Sequence, residues 1–279
     1  MTSHGTKIQW TWIPGYKGET WSPITGCSPV SIGCQKCFAA RMVKRFPKIY
    51  PKGFDVHLRH DRLEIPLRWK KPRAVFVASM GDIFHDEVVA TEFITDIWTV
   101  MEEAKDHLFL VLTKRAENMR TFVKEILCKA EPPKNIFLGV TAENQETADE
   151  RIPILLDTPA AKRFVSVEPM LGPVDLTSIR LRDDWLDSDD NPTILNAFTA
   201  CVHHPRTVKF APSAEGQPEG ISWVIAGGES GPKARDMDPE WALNLMRKCQ
   251  DAGVPFFMKQ MARREPIPMI LNVKEFPVT

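Results

Sequence analysis

Residues 108–141, LFLVLTKRAENMRTFVKEILCKAEPPKNIFLGVT, hold two short apolar runs separated by a helix-patterned segment. LFLVLT at 108–113 and NIFLGVT at 135–141 are almost continuously apolar, with no alternation of polar residues. Strands of that composition are buried on both faces, as in parallel sheets covered by helices. Between them, in 117–129, Phe122, Ile126 and Leu127 recur at helical spacing, which gives one apolar stripe to set against a sheet. A strand–helix–strand unit of this kind crosses over right-handedly and leaves its strands parallel.

The same unit repeats outward in both directions. AVFVAS at 74–79, RFVSVE at 163–168, SWVIA at 222–226 and VPFFMK at 254–259 read as further strands, and 21–25 offers an earlier one. Helical spacing recurs in 87–105, through Phe93, Ile97, Val100 and Met101, and in 239–252, through Trp241, Leu245 and Met246. The pattern predicts a single α/β domain over 1–279 whose strand count favours a partial (βα)6-type parallel barrel. Two segments break the rhythm. Residues 38–73 are basic and read as helical. Residues 175–220, with Asp183, Asp184, Asp187, Asp189 and Asp190, read as a solvated acidic loop inserted before the late strands.

The chain has 279 residues, with 36 Lys plus Arg against 36 Asp plus Glu. That balance excludes a globally basic nucleic-acid coat and an acidic disordered protein. It conceals a division: residues 1–73 carry 14 basic and 4 acidic side chains, and the remainder carries 22 and 32. No apolar run approaches the length of a membrane span, and no basic stretch leads into an apolar h-region. The expectation is a soluble, cytoplasmic protein that does not engage a membrane.

Charged and amide residues collect where the runs end: SMGD at 79–82, TKR at 113–115, TAEN at 141–144, SVEP at 166–169, GGESG at 227–231 and KQ at 259–260. Ligands of parallel α/β folds bind at the carboxyl ends of the strands. Any one of these residues could simply cap the next helix, but six ends together describe a lined pocket mouth. Glu168 and Lys259 close apolar runs, where a lone charge is costly unless paired or facing a cavity. A metal-independent hydrolase using Glu168 and Glu229 is one chemistry such a mouth could perform.

TGCSPVSIGCQKCFAARM at 25–42 adds a different signal, three cysteines within eleven residues. An odd, clustered number reads as metal ligation in a reducing compartment rather than a disulfide framework. Cys34 and Cys37 are spaced to reach one centre, and Gly26 and Gly33 free the backbone to wrap it. Spacing leaves three options open: a four-iron cluster on three thiolates, a zinc with His57 or His60 as fourth ligand in a non-catalytic binding protein, or unligated core cysteines. Cys201, His203 and His204 also resemble ligands but read as loop residues.

The cysteine loop ahead of a run of β/α units resembles the radical S-adenosylmethionine enzymes. More closely, that loop with SMGDIFHDEV, LVLTKR, GVTAENQETADERIPILL, FVSVEPMLGPVDL, WVIAGGESGPKARDMDPEW and PFFMKQ is similar to a phage-associated radical-SAM-like family with a three-cysteine motif, over residues 8–261. The resemblance implies a [4Fe-4S] cluster on Cys27, Cys34 and Cys37 with S-adenosylmethionine on the fourth iron. It gives Gly81 and Asp82 the methionine amino group, Lys114 or Arg115 the carboxylate, and Glu143 or Asn144 the ribose hydroxyls. Phe38 is the aromatic left for adenine, although the superfamily usually has one before the third cysteine, where Lys36 stands. Glu168, Glu229, Arg235 and Lys259 fall to the substrate side. The cysteine gaps are six and two residues, against the commoner three and two. The implied partners are an electron donor such as a flavodoxin or ferredoxin, and a protein encoded nearby, in a bacterial host cell. The basic segment, with Arg41, Lys44, Arg45, Lys48 and Lys52 after the cysteines, points to an anionic substrate such as a nucleotide or nucleic acid; a solvated helix face is the plainer explanation.

Overall fold

The computed structural model describes residues 5–128, 131–181, 194–204, 207–210, 220–231 and 233–278. Seven strands form its central sheet: β1 (Lys17–Trp21), β2 (Arg73–Val77), β3 (Leu108–Thr113), β4 (Ile136–Thr141), β5 (Lys162–Val167), β6 (Trp223–Gly227) and β7 (Phe256–Gln260). They lie side by side in chain order, and every neighbouring pair is parallel. The protein is therefore a mixed α/β fold built on a partial-barrel sheet.

The strands alternate between two cores, as a period of two requires when both faces are buried. Ala74, Leu108, Leu110, Phe137, Phe164, Trp223, Ile225 and Phe257 share one cluster with Trp10 and Ile13. Their neighbours Val75, Phe109, Val111, Leu138, Val165, Val224 and Phe256 join the larger cluster beneath the helices. Trp10, on the short turn Gln9–Thr11, covers the first cluster, its ring 4.7 Å from that of Phe76 and 6.1 Å from Trp223. Gly139 leaves its space to the Phe164 ring, which a Cβ there would approach to 2.6 Å.

Along the chain come the helices α1 (Phe38–Arg45), α2 (Phe93–Glu103), α3 (Ala116–Thr121), α4 (Gln145–Asp157) and α5 (Pro239–Asp251). The segment expected over 87–105 splits into one turn at Asp86–Val89 and then α2. Helix α3 continues into a π-helical stretch, Phe122–Leu127. Among the described residues no helix is long and apolar enough to cross a membrane.

Three expectations need correction. The first strand is Lys17–Trp21, while Ile24–Thr25 pairs antiparallel with His57–Leu58. The helical reading of 38–73 holds as an α-helix only through Arg45, with single 3-10 turns at His60–Arg62 and Pro66–Arg68 beyond it; Pro47, Pro51, Gly53 and Pro72 break up the rest of that segment, since proline cannot donate in a helix interior. The span 175–220 is not simply a loop: Ile179–Arg180, Ile194–Asn196, Cys201–His204 and Thr207–Phe210 form a four-stranded antiparallel sheet. Cys201, His203 and His204 thus sit on a strand. Asp183, Asp184, Asp187, Asp189 and Asp190 lie outside the described residues.

Candidate active site

Continuing the period of two past the strand ends carries Lys114, Thr141, Ser166, Glu168 and Lys259 onto the side of the aromatic layer. All five line one open cleft of about 1570 Å³, counting its solvent-filled mouth, with Trp10, Phe76 and Leu112 among its other lining residues. Cys27, Cys34, Cys37, Phe38, Gly81, Asp82 and Arg115 border the same cleft. A neighbouring cleft of about 730 Å³ shares Cys34, Cys37, Phe38, Lys114 and Glu168 and adds Lys36, Arg41 and Glu229. The carboxyl edge of the sheet is therefore where most of the sequence-selected residues meet.

The cysteine loop is tied to that edge at every turn. Gly26 (φ +90°) bridges to Gly81, and a Cβ on it would strike the Asp55 carbonyl. The Cys27 N–H donates to Phe54 O at 3.1 Å. Ser28 Oγ lies 2.8 Å from His85 Nε2 and accepts from Arg115 at 2.9 Å. Ser31 Oγ donates to Glu143 at 2.5 Å. Arg235 donates to Ile32 O at 3.0 Å, and Lys36 Nζ to Lys233 O at 2.5 Å.

Glu143 anchors the middle of the loop. Its side chain has no exposure and is held by Lys114 at 3.2 Å and by Arg151 at 2.9 Å. Burial works against its ionisation, but Lys114, Arg151 and the Ser31 hydroxyl outweigh it and keep the carboxyl below its ordinary range. Gly33 packs directly on it, so that a Cβ there would lie 2.6 Å from Glu143 Cγ. Asn144 accepts from the Thr147 N–H at 3.0 Å in a capping box at the start of α4. Neither Glu143 nor Asn144, expected at the ribose hydroxyls, is among the residues lining the cleft: one side chain clamps the cysteine loop and the other caps a helix.

Asp82 and Arg115 are also largely committed. The buried Asp82 carboxylate accepts from Thr113 Oγ1 at 2.9 and 3.0 Å, from the Phe84 N–H at 3.0 Å, and from Arg115 at 3.4 Å. Arg115 also reaches Cys27 Sγ at 3.4 Å. Burial and then Asp82 push the Cys27 thiol up, against the opposing pull of Arg115. Lys259 Nζ clasps Glu168 at 2.6 and 2.8 Å. Arg235 holds Glu229 at 2.5 Å through a guanidinium nitrogen and at 2.8 Å through its backbone N–H. Burial opposes Glu229 ionisation, yet Arg235 prevails and its carboxyl stays below the usual range. Glu168 and Glu229 are thus each neutralised by a cation of their own, an arrangement that does not suit a hydrolytic acid–base pair.

All three loop cysteines are free thiols, neither fully buried nor exposed. Among the described residues no three His, Cys, Asp or Glu side chains gather compactly enough for one metal ion. A tetrahedral zinc with Zn–S bonds of about 2.3 Å needs such a group. His57 pairs in register with Thr25, and His60 packs its ring 4.4 Å from Phe93, so neither completes one. A four-iron cluster takes one thiolate per iron, and Cys27, Cys34 and Cys37 all border one cleft. Sequence reasoning passed over Ser31, His85 and Arg151. His85 had a signal, its place before Asp86 and Glu87 at a helix start, where it caps Glu87 N–H. Arg151 had none beyond being a charge among the apolar residues of α4.

Fold and site together define an α/β partial-barrel protein with a three-cysteine loop folded over the carboxyl edge of its parallel sheet. The family described as "Protein of unknown function (DUF5131)" matches residues 5–274, and the chain belongs to that family. No curated protein and no solved structure matches the chain.

Proposed function

We propose that the protein is a radical S-adenosylmethionine enzyme whose [4Fe-4S] cluster is carried by Cys27, Cys34 and Cys37. The observation that carries this reading is the position of the three thiols around one large cleft at the carboxyl ends of parallel strands, beside cations from β3 and β7. When bound, the cluster would supply the electron that cleaves S-adenosylmethionine to methionine and a 5′-deoxyadenosyl radical able to abstract hydrogen from a substrate.

The chain's own residues have separable tasks. Arg115 and Arg235 hold loop carbonyls and Glu143 holds the Ser31 hydroxyl, so the thiols are presented without a search through loop conformers. Lys114 and Lys259 are two of the cations that face the cleft, the first shared with Glu143 and the second with Glu168; either can meet a carboxylate. Gly81, against the Gly26 and Ile24 carbonyls, keeps a side-chain-free wall beside Cys27. The aromatic floor, with Trp10 and Phe76, excludes water from below.

Anaerobic reconstitution with iron and sulfide should give a brown protein with about four irons per chain. Added reductant and S-adenosylmethionine should then yield 5′-deoxyadenosine, detected by mass spectrometry. Cys34→Ala should abolish the iron uptake. A colourless protein holding one zinc would sink the proposal.

A further inference from the structure

The cleft opens on one side into a shallow groove of about 680 Å³ lined by Phe38, Arg41, Met42, Arg45, Ser230, Gly231 and Arg264. Arg41 and Met42 lie three and four residues after Phe38, and Arg45 lies four and three after them, so a single face of α1 forms one wall. The opposite face, with Ala39 and Val43, is buried. Phe38, Ser230 and Arg264 also line the large cleft, so groove and cleft are continuous.

The groove is cationic and unneutralised. No carboxylate lines it, and none of its three arginines makes an ion pair with a described carboxylate, although most charges elsewhere at the sheet edge are paired. Arg41 Nε is buried without a hydrogen-bond partner, and Gly231 supplies the space its guanidinium occupies. Arg264 is reached through two successive non-glycine residues in the left-handed region, Arg263 at φ +54° and Arg264 at φ +61°. Such conformations cost energy and gather at ligand clamps. Phe38 is 53% exposed beside these guanidinium groups, where an apolar ring in water wants a planar partner.

We infer that this groove binds the phosphodiester backbone of a single-stranded nucleic acid, with a base stacked on Phe38 and the neighbouring nucleotide directed into the cleft. Arginine rather than lysine suits bidentate grip on phosphate oxygens. The helix face from Phe38 to Arg45 is about 10 Å long, the axial rise of about three stacked nucleotides. An aromatic stacking platform beside a basic track is the common means of holding single strands. A nucleobase must leave its duplex stack to be acted on within such a cleft. The inference rests on the proposed function for its chemistry but not for its binding, and it moves Phe38 from adenine of the cofactor to the substrate.

Fluorescence anisotropy of a labelled single-stranded 12-mer, DNA and RNA in turn, on the full chain without added iron or S-adenosylmethionine, tests the groove alone. Expected are salt-dependent binding of at least one of the two and a Kd raised at least tenfold by Arg45→Gln with Arg264→Gln. Both side chains are exposed, so the double variant should keep the wild-type thermal transition. It should also lower the slope of log K against log salt by about two. Phe38→Ala should weaken binding roughly 5- to 100-fold. Binding that is absent, insensitive to salt, or undiminished in the double variant overturns the inference, as does equal competition by a mononucleotide. Failure of 5′-deoxyadenosine formation would count against the radical reading and leave this result standing.

Discussion

Glu143→Gln removes one charge from the centre of the cysteine-loop anchor while keeping the volume of the side chain. Two cations then lose their Glu143 partner. Lys114 is 21% exposed and can turn partly to water, but Arg151 is 3% exposed and keeps Thr141 O, at 2.8 Å, and the exposed Glu150 carboxylate, at 3.7 Å, as its other partners. Leaving a buried charge uncompensated costs about 3–5 kcal/mol, and the lower end applies because the amide oxygen still accepts from Arg151. At about 2.1 cal/mol/K per residue, a chain of this length unfolds with an entropy of roughly 0.6 kcal/mol/K. A loss of about 3 kcal/mol therefore lowers Tm by about 5 °C, measurable by differential scanning calorimetry at pH 7. The sign with pH follows from the depressed carboxyl. Its contribution is full above the unfolded pKa of about 4.3 and is lost as pH falls through the folded value, so wild type and variant should converge in acid. Because Glu143 also holds Ser31, alkylation of Cys34 should quicken in the variant. A Tm shift under about 1 °C with unchanged Cys34 alkylation would refute the anchor.

Gly33→Ala should destabilise by about 1–3 kcal/mol, the usual cost of overpacking, because its Cβ runs into a Glu143 side chain that cannot swing away; adding Glu143→Asp should recover part of the loss in urea titrations. Burial depresses His85, helped by Arg115, and burial depresses His107 despite its bond to Pro66 O. The unfolded chain then binds more protons below about pH 6.5, so stability should fall between pH 7 and pH 5, and His107→Gln should flatten that fall in urea midpoints measured at both pH values.

The sheet was legible because β3 to β7 are buried on both faces: LFLVLT is Leu108–Thr113 residue for residue, and the other four strands start or end within two residues of their apolar runs. β1 was not, since KGETW carries its burial in the inward contacts of a single tryptophan. Helix α4 went unpredicted because Pro153 sits inside it; the Asn144–Thr147 capping box secures its first turn, and the helix survives the missing N–H. The site divided along a similar line. Lys114, Glu168 and Lys259 were found because each stands where an apolar run ends, which is visible in sequence. Glu143 also stands near the end of a run but is covered by the cysteine loop, a contact between residues 112 positions apart (Ser31 to Glu143) that no local pattern announces.

The charge division seen in sequence acquires a physical meaning from these contacts. Acids from the later part of the chain, Glu143 and Glu229, are spent on the cysteine loop and its fasteners, each matched by a nearby cation. Asp82 and Glu168 are matched in the same way. The cleft interior is therefore close to electrostatic balance, while the unmatched positive charge of α1 and Arg264 is left at its rim. An anionic ligand of the kind proposed would be drawn to the rim by a field that the cleft does not oppose, and a charged group entering the interior would have to displace an existing ion pair. Overall neutrality and a locally anionic substrate are then compatible, since neutral clefts with charged rims steer ligands without binding them indiscriminately.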